Sequence, residues 1–217
     1  MNILVFAPHN DDEVLGVGGT IAKYVNEGHD VYVCEVTSGF NTDRVNLIVD
    51  EAKKAHKILG VKEAFFLNLP VIELRHTPTE EINKKILNIV QKVKPEIVFL
   101  PHKGDMNFDH AEVTYAAMVA LRPSNVPNLK EILAYETLSE TEWNTPTIDN
   151  IFIPNVYIDI SHTVQKKVEA MSCYESQLKD YPHPRSLDGI IALSKYRGST
   201  ICVENAESFM MIRAIKN

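Results

Sequence analysis

A chain of 217 residues, 45% hydrophobic and 24% charged, is long enough to bury one sizeable core and has the composition of an ordinary globular protein. Its net charge of -7 argues against nucleic acid or an anionic membrane as the main partner, though not against a small anionic substrate, because local charge can differ from net charge. No stretch approaches a membrane span and the short apolar start lacks a basic lead-in, while Cys34, Cys173 and Cys202 are widely spaced free thiols suited to a reducing compartment. A cytoplasmic location is the expectation.

Ile3–Ala7 reads as a buried first strand. Asp12–Glu27 has helical spacing, with Val14, Leu15, Ile21, Ala22 and Val25 near one face and Gly28 as its stop. Asp30–Thr37 is a second strand. Thr42–Gly60 is a second helix, lined by Val45, Ile48, Val49, Ala52, Ala55 and Leu59. Ala64–Leu67 is a short strand, and Thr79 opens a helix whose face is Ile82, Ile86, Ile89 and Val90. Glu96–Leu100 and Asp109–Leu121 complete the rhythm as strand and helix. Such alternation predicts an α/β fold with a mainly parallel sheet and helices on both faces.

The rhythm weakens after Pro123. Glu131–Glu136 and Phe152–Ile158 are strand-like, Ser161–Gln177 reads as a helix, and 180–189 as a Pro-rich loop. A helix follows from Ile190, then a segment, Ser199–Ile215, without a clear pattern. With no repeat or linker, one domain over 1–217 with a C-terminal elaboration is the simplest organisation.

Two polar clusters follow apolar strands. The first is His9, Asp11, Asp12 and Glu13; the second is His102, Asp105, Asn107, Asp109 and His110. In open α/β sheets, ligands bind outside the carboxyl ends of the strands, where both clusters fall. His9 and Asp12 are three residues apart at a turn into a helix and can reach one ion, with His110 as third ligand. Three N/O ligands and an open position suit a catalytic zinc, or less selectively another divalent transition metal. Asp11 is left beside the ion as a general base. Acids at a helix N-terminus can also merely complement the macrodipole. The recurrence of a His/Asp cluster after a second strand favours the metal site.

Other side chains have two readings. His102 and Ser38 follow strands and could contact a substrate or simply occupy turns. Trp143 with Tyr135 and Glu136 could form a sugar-stacking wall, or pack. Tyr181, His183 and Arg185 could form a lid, or an exposed loop. Gly16, Gly18 and Gly19 lack dinucleotide-binding spacing and fall inside the first helix, where they would allow close packing on the sheet.

These landmarks resemble the PIG-L/LmbE-type family of zinc-dependent N-acetylglucosaminyl deacetylases. The family's Ala/Pro-His-Pro-Asp-Asp-Glu run is here Pro8-His9-Asn10-Asp11-Asp12-Glu13, continued by Gly18-Gly19-Thr20. Its Asp-x-His-x-Asp-His run is Asp105-Met106-Asn107-Phe108-Asp109-His110. Glu51, Ala55 and Leu59-Gly60, then Lys167, Ala170, Ser176-Gln177 and Glu207-Ser208-Phe209 follow in the family's order. The resemblance implies a Rossmann-like three-layer sandwich, zinc on His9, Asp12 and His110, and Asp11 as general base. It further implies Asn107 and Asp109 as catalytic side chains, an amino-sugar substrate, and compatibility with a homo-oligomer. Three positions depart from the pattern: Asn10 replaces Pro, Asn107 replaces His, and Ile48 replaces a substrate-contacting Arg whose place Arg44 could take. Asn107 can donate a hydrogen bond but cannot transfer a proton. Hydrolysis of another small N-acyl amide, or a weakly active sugar-binding protein, are the alternatives.

Overall fold

The computed structural model describes residues 1–39 and 41–216. In chain order the elements are β1 (Asn2–Ala7), α1 (Asp12–Asn26), β2 (Asp30–Ser38), α2 (Thr42–Leu59), β3 (Glu63–Pro70), α3 (Thr79–Val93), β4 (Ile97–Pro101), α4 (Phe108–Ala120), β5 (Glu131–Tyr135), β6 (Val156–Asp159), α5 (Val164–Ser172), α6 (Leu187–Thr200) and β7 (Ala206–Ala214). A 3₁₀ turn, Leu74–His76, precedes α3. All seven strands join one sheet in the order β3-β2-β1-β4-β5-β7-β6. The first five are parallel neighbours, and β7 runs antiparallel between β5 and β6.

Strand alternation divides the core in two. Ile3 and Val5 of β1 pack with Val31 and Val33 of β2 against α1, α2 and α5. Leu4 and Phe6 point the other way, with Cys34, Val98 and Leu100, against α3 and α4. Near-continuous apolar strands are what a sheet buried on both faces requires. The result is the expected three-layer α/β sandwich with a mainly parallel sheet. Among the described residues no helix is long and apolar enough to cross a membrane.

The first helix lies tight on this sheet. A Cβ at Gly16 would overlap the ring of Tyr135, and one at Gly19 would come within 2.6 Å of Ile160. The Tyr135 ring has little freedom to yield, since it is fully buried and its hydroxyl donates to the Phe6 carbonyl at 2.7 Å. Gly16→Ala is therefore expected to cost about 1–3 kcal/mol through overpacking, read as a lower urea midpoint. An unchanged midpoint would mean that helix and ring separate freely.

The C-terminal third departs from the periodic reading. The helix expected to reach Gln177 ends at Ser172, and Glu51 of α2 captures Ser176 instead, accepting from its N–H (3.0 Å) and its hydroxyl (2.6 Å). The helix expected from Ile190 begins at Leu187, because Ser186 caps it through Gly189 N–H. The unpatterned tail contains β7. Its Glu207 accepts from the N–H groups of Gly19 and Thr20, at 2.9 and 2.7 Å, and from Lys167 Nζ at 2.6 Å. These late landmarks thus form a buried ion pair that clamps α1, the helix on which the first polar cluster sits.

Candidate active site

Chain connectivity reverses between β1 and β4. The chain leaves β1 into α1 on one face of the sheet and leaves β4 into α4 on the other, which opens a crevice at their carboxyl ends. Residues 8–12 and 102–110 meet there.

Asp12 Oδ2 lies 3.1 Å from His9 Nδ1 and 3.2 Å from His110 Nε2. One ligand atom from each of the three residues lies within 4.8 Å of the others. Each imidazole is turned by its own carboxylate. Asp105 accepts from His110 Nδ1 at 2.8 Å and is itself held by the Thr141 hydroxyl at 2.6 Å. Asp109 lies 3.2 Å from His9 Nε2 and accepts from the N–H groups of Ile72 and Leu74. These contacts leave His9 Nδ1 and His110 Nε2 facing Asp12 Oδ2, each able to offer a lone pair once deprotonated. His110 Nε2 is fully buried without a hydrogen-bond partner among the described residues. A buried, unsatisfied acceptor facing a carboxylate fits a divalent transition metal, and carboxylate-oriented imidazoles are the usual outer shell of such an ion.

The same carboxylates favour positive charge at this point, whether carried by protons on the imidazoles or by a cation that displaces them. Burial opposes charge on Asp12, yet His110 and His9 outweigh it and hold the carboxyl well below the usual carboxylate range. Burial likewise opposes charge on His9, but its bonds to Asp109 and Asp12 raise it to about 9.

Asp11 is set apart from this group. Its backbone adopts φ 137°, a strained value for a non-glycine residue, and its N–H donates to Glu13 Oε2 at 3.1 Å. Its carboxylate Oδ2 is buried without a hydrogen bond among the described residues, 3.5 Å from Arg185 Nη1. Burial, reinforced by the Asp12 charge, pushes Asp11 up to about 8.

Asn107 caps α4, with Oδ1 accepting the Asp109 N–H at 3.0 Å. That bond fixes the amide orientation, so Nδ2 is a donor, 3.5 Å from His9 Nε2. His9, Asp11 and Asn107 line a cavity of about 540 Å³ together with Ser38, Arg44 and Ile48. Arg185 and Glu140 border both this cavity and an adjoining cleft that holds Trp143 and His183.

Residues 4–121 match the family described as PIG-L, GlcNAc-PI de-N-acetylase. The chain belongs to the PIG-L family. This is a family of N-deacetylases, which are amide hydrolases. Diacetylchitobiose deacetylase of Thermococcus kodakarensis is 28% identical over 192 residues, covering 82% of this chain and 70% of the relative. A probable N-acetyl-alpha-D-glucosaminyl L-malate deacetylase 2 of Bacillus anthracis is 25% identical, covering 81% of each. The crystal structure of the conserved protein TT1542 from Thermus thermophilus superposes with a TM-score of 0.79 at 26% identity, covering 99% of this chain and 96% of that one.

Within this PIG-L fold, His9, Asp11, Asp12, Asn107, Asp109 and His110 converge, and Ser38 and Arg44 border the cavity. His102 does not: its Nε2 donates to the Asn150 carbonyl at 2.8 Å and its ring meets the edge of Phe152. The wall expected of Trp143, Tyr135 and Glu136 does not assemble either. Tyr135 is in the core and Glu136 is paired with Arg197, while Trp143 stands against His183. Sequence reasoning missed the approach of Arg185 to Asp11, the orienting role of Asp105, and a buried trio of Glu13, Glu35 and His56. Asp105 and Glu13 lay within the two motifs, and Glu35 carried a local signal as an acid between the apolar residues Val33, Cys34 and Val36.

Proposed function

We propose that this chain is a zinc-dependent N-deacetylase acting on an N-acetylated amino sugar of the glucosamine type, or a conjugate of one. The observation that carries this reading is Asp11, a buried carboxylate whose Oδ2 makes no hydrogen bond among the described residues, beside a two-histidine, one-aspartate group whose His9 lines a sugar-sized cavity. The cavity's volume falls in the range of about 300–1,000 Å³ typical of small-ligand sites. The named substrates of the two relatives, diacetylchitobiose and N-acetyl-α-D-glucosaminyl L-malate, both carry an N-acetylated glucosamine, which supports the substrate class.

A zinc ion held by His9, Asp12 and His110 would polarise the acetyl carbonyl and stabilise negative charge developing on its oxygen. Asp11 takes the proton of the attacking water. Asn107 cannot move a proton, so the proton that the departing amine needs returns from Asp11, whose raised pKa makes it a competent acid as well as a base. Asn107 Nδ2 donates a hydrogen bond to the oxyanion. Arg185, anchored by Ser139 and Glu140, steadies the Asp11 carboxylate. Ser38 and Arg44 bind sugar oxygens along the wall.

The test is acetate release from a panel of N-acetylglucosamine derivatives, with and without a chelator. Release that the chelator abolishes and zinc restores is the expected result. Bound metal with no acetate from any derivative would redirect the reading to another amide.

A further inference from the structure

Behind the candidate active site, three side chains from three elements meet in the interior. They are Glu13 from the first turn of α1, Glu35 from β2 and His56 from α2, with residue exposures of 0%, 1% and 5%. His56 Nε2 lies 3.2 Å from Glu13 Oε1 and 3.2 Å from Glu35 Oε1, and the three groups offer ligand atoms within 4.8 Å of one another. We propose that this cluster is a second divalent-cation site, distinct from the one in the crevice.

Charge is the first argument. Two buried carboxylates face a single imidazole, and among the described residues neither forms an ion pair with a lysine or arginine. Without an ion the trio balances only when His56 is charged and Glu35 keeps a proton, the state that burial and the neighbouring Glu13 charge favour. A divalent cation with neutral His56 balances both, and buried charges persist when they are paired or coordinate metals.

Hydrogen bonding is the second. Glu13 is well satisfied, accepting from the Tyr174 hydroxyl at 2.6 Å and the Asp11 N–H at 3.1 Å. Glu35 is not: among the described residues both of its oxygens are buried with no hydrogen-bond partner, as is His56 Nδ1. One Nε2–H cannot serve two carboxylates, and native interiors rarely leave such groups unpaired. Glu35 is aimed into the cluster with no other partner among the described residues.

Spacing is the third. Separations of 3.2 Å repeat those around Asp12 in the crevice, 3.1 and 3.2 Å. They suit donors held about 2.0–2.2 Å from a shared ion in tetrahedral geometry. One imidazole and two carboxylates suit zinc, manganese, iron or cobalt. Because Glu13 also holds the Asp11 N–H, an ion here would fix the residue that maintains Asp11 in its strained conformation. The site is thus a positioning device for the active site, not a part of the chemistry.

A site this buried exchanges its ion through unfolding, which sets the experiment. The full chain is unfolded with a chelator, refolded in Co²⁺ or in Zn²⁺, and freed of loose metal by gel filtration. Metal per chain is then measured for the parent, His110→Ala and Glu35→Gln, with circular dichroism confirming the fold. The expected result is about two ions in the parent and about one in each variant. One ion in the parent and none in His110→Ala would overturn the proposal, as would two ions retained by Glu35→Gln. The parent and His110→Ala decide the question even if Glu35→Gln does not fold. Because the readout is metal content and not turnover, a failure of the deacetylase reading leaves it intact.

Discussion

Asp11→Asn is expected to lower kcat about a thousandfold while leaving metal content unchanged, within the range that a positioned acid–base group contributes. The reasoning starts from the backbone. Asparagine is isosteric with aspartate and its backbone demands are alike, so the 137° conformation survives the change. The three metal-facing side chains are untouched, and Asn preserves the shape at the end of the cavity. Only proton transfer at this position is lost: Asn107 is an amide that cannot replace it, and Glu140, also on the cavity, is held by Arg185 at 3.1 Å. A base works when ionised, so activity should fall as pH drops through the pKa of Asp11. Burial raises that value to about 8 in the protein itself, and a cation alongside favours the carboxylate and moves it down. The acid limb of kcat/KM should therefore lie at or below about 8 and above the ordinary carboxylate range, near 4. The residual activity of Asp11→Asn should lack it. A variant within about tenfold of the parent, with the same acid limb, would remove Asp11 from the mechanism.

How far this site could be read from the sequence depends on how local each interaction is. The strands through β5 and the helices through α4 follow from apolar spacing and from stops such as Gly60, which ends α2 with φ 81°. His9, Asp12 and His110 were legible because each sits in a short motif at a strand end, and the strand order alone brings those ends together. Their supporting carboxylates were less so. Asp105 and Asp109 lie within the second motif, but which imidazole each one turns depends on angles that spacing does not encode. Contacts between distant segments left still less trace. Glu51 ends the helix at Ser172 by capturing Ser176, a competition invisible to helical periodicity, and Arg185 reaches Asp11 from a loop that looks like any exposed turn. The tail shows the same effect. Ala206–Ala214 becomes a strand through pairing with β5 and β6, and without those partners its pattern is indistinct.

The largest loss should follow His110→Ala. His110 is fully buried between Asp12 and Asp105, and its Nε2 is the one ligand atom in the crevice with no other bond to make among the described residues. Without it the remaining ligands are His9, on the solvent side, and Asp12. Two ligands hold a divalent ion far less well than three, so this site should lose its metal and acetate release should fall to background. The same change has an electrostatic cost: Asp12 and Asp105 lose their shared partner while remaining buried, a situation that costs about 3–5 kcal/mol when one member of a buried pair is removed. The Tm should drop accordingly, and a lower Tm could by itself explain lost activity. Asp105→Asn separates the two causes. It keeps the shape and leaves His110 in place but removes the carboxylate that turns the ring, and loss of such outer partners typically weakens metal binding or activity about 10–100-fold. Titrating zinc into the Asp105→Asn protein should therefore restore acetate release at higher metal concentration, whereas His110→Ala should stay inactive at any zinc level that leaves it folded. Full activity in His110→Ala, or rescue of both variants by the same zinc concentration, would mean that the ion is held by residues other than these three.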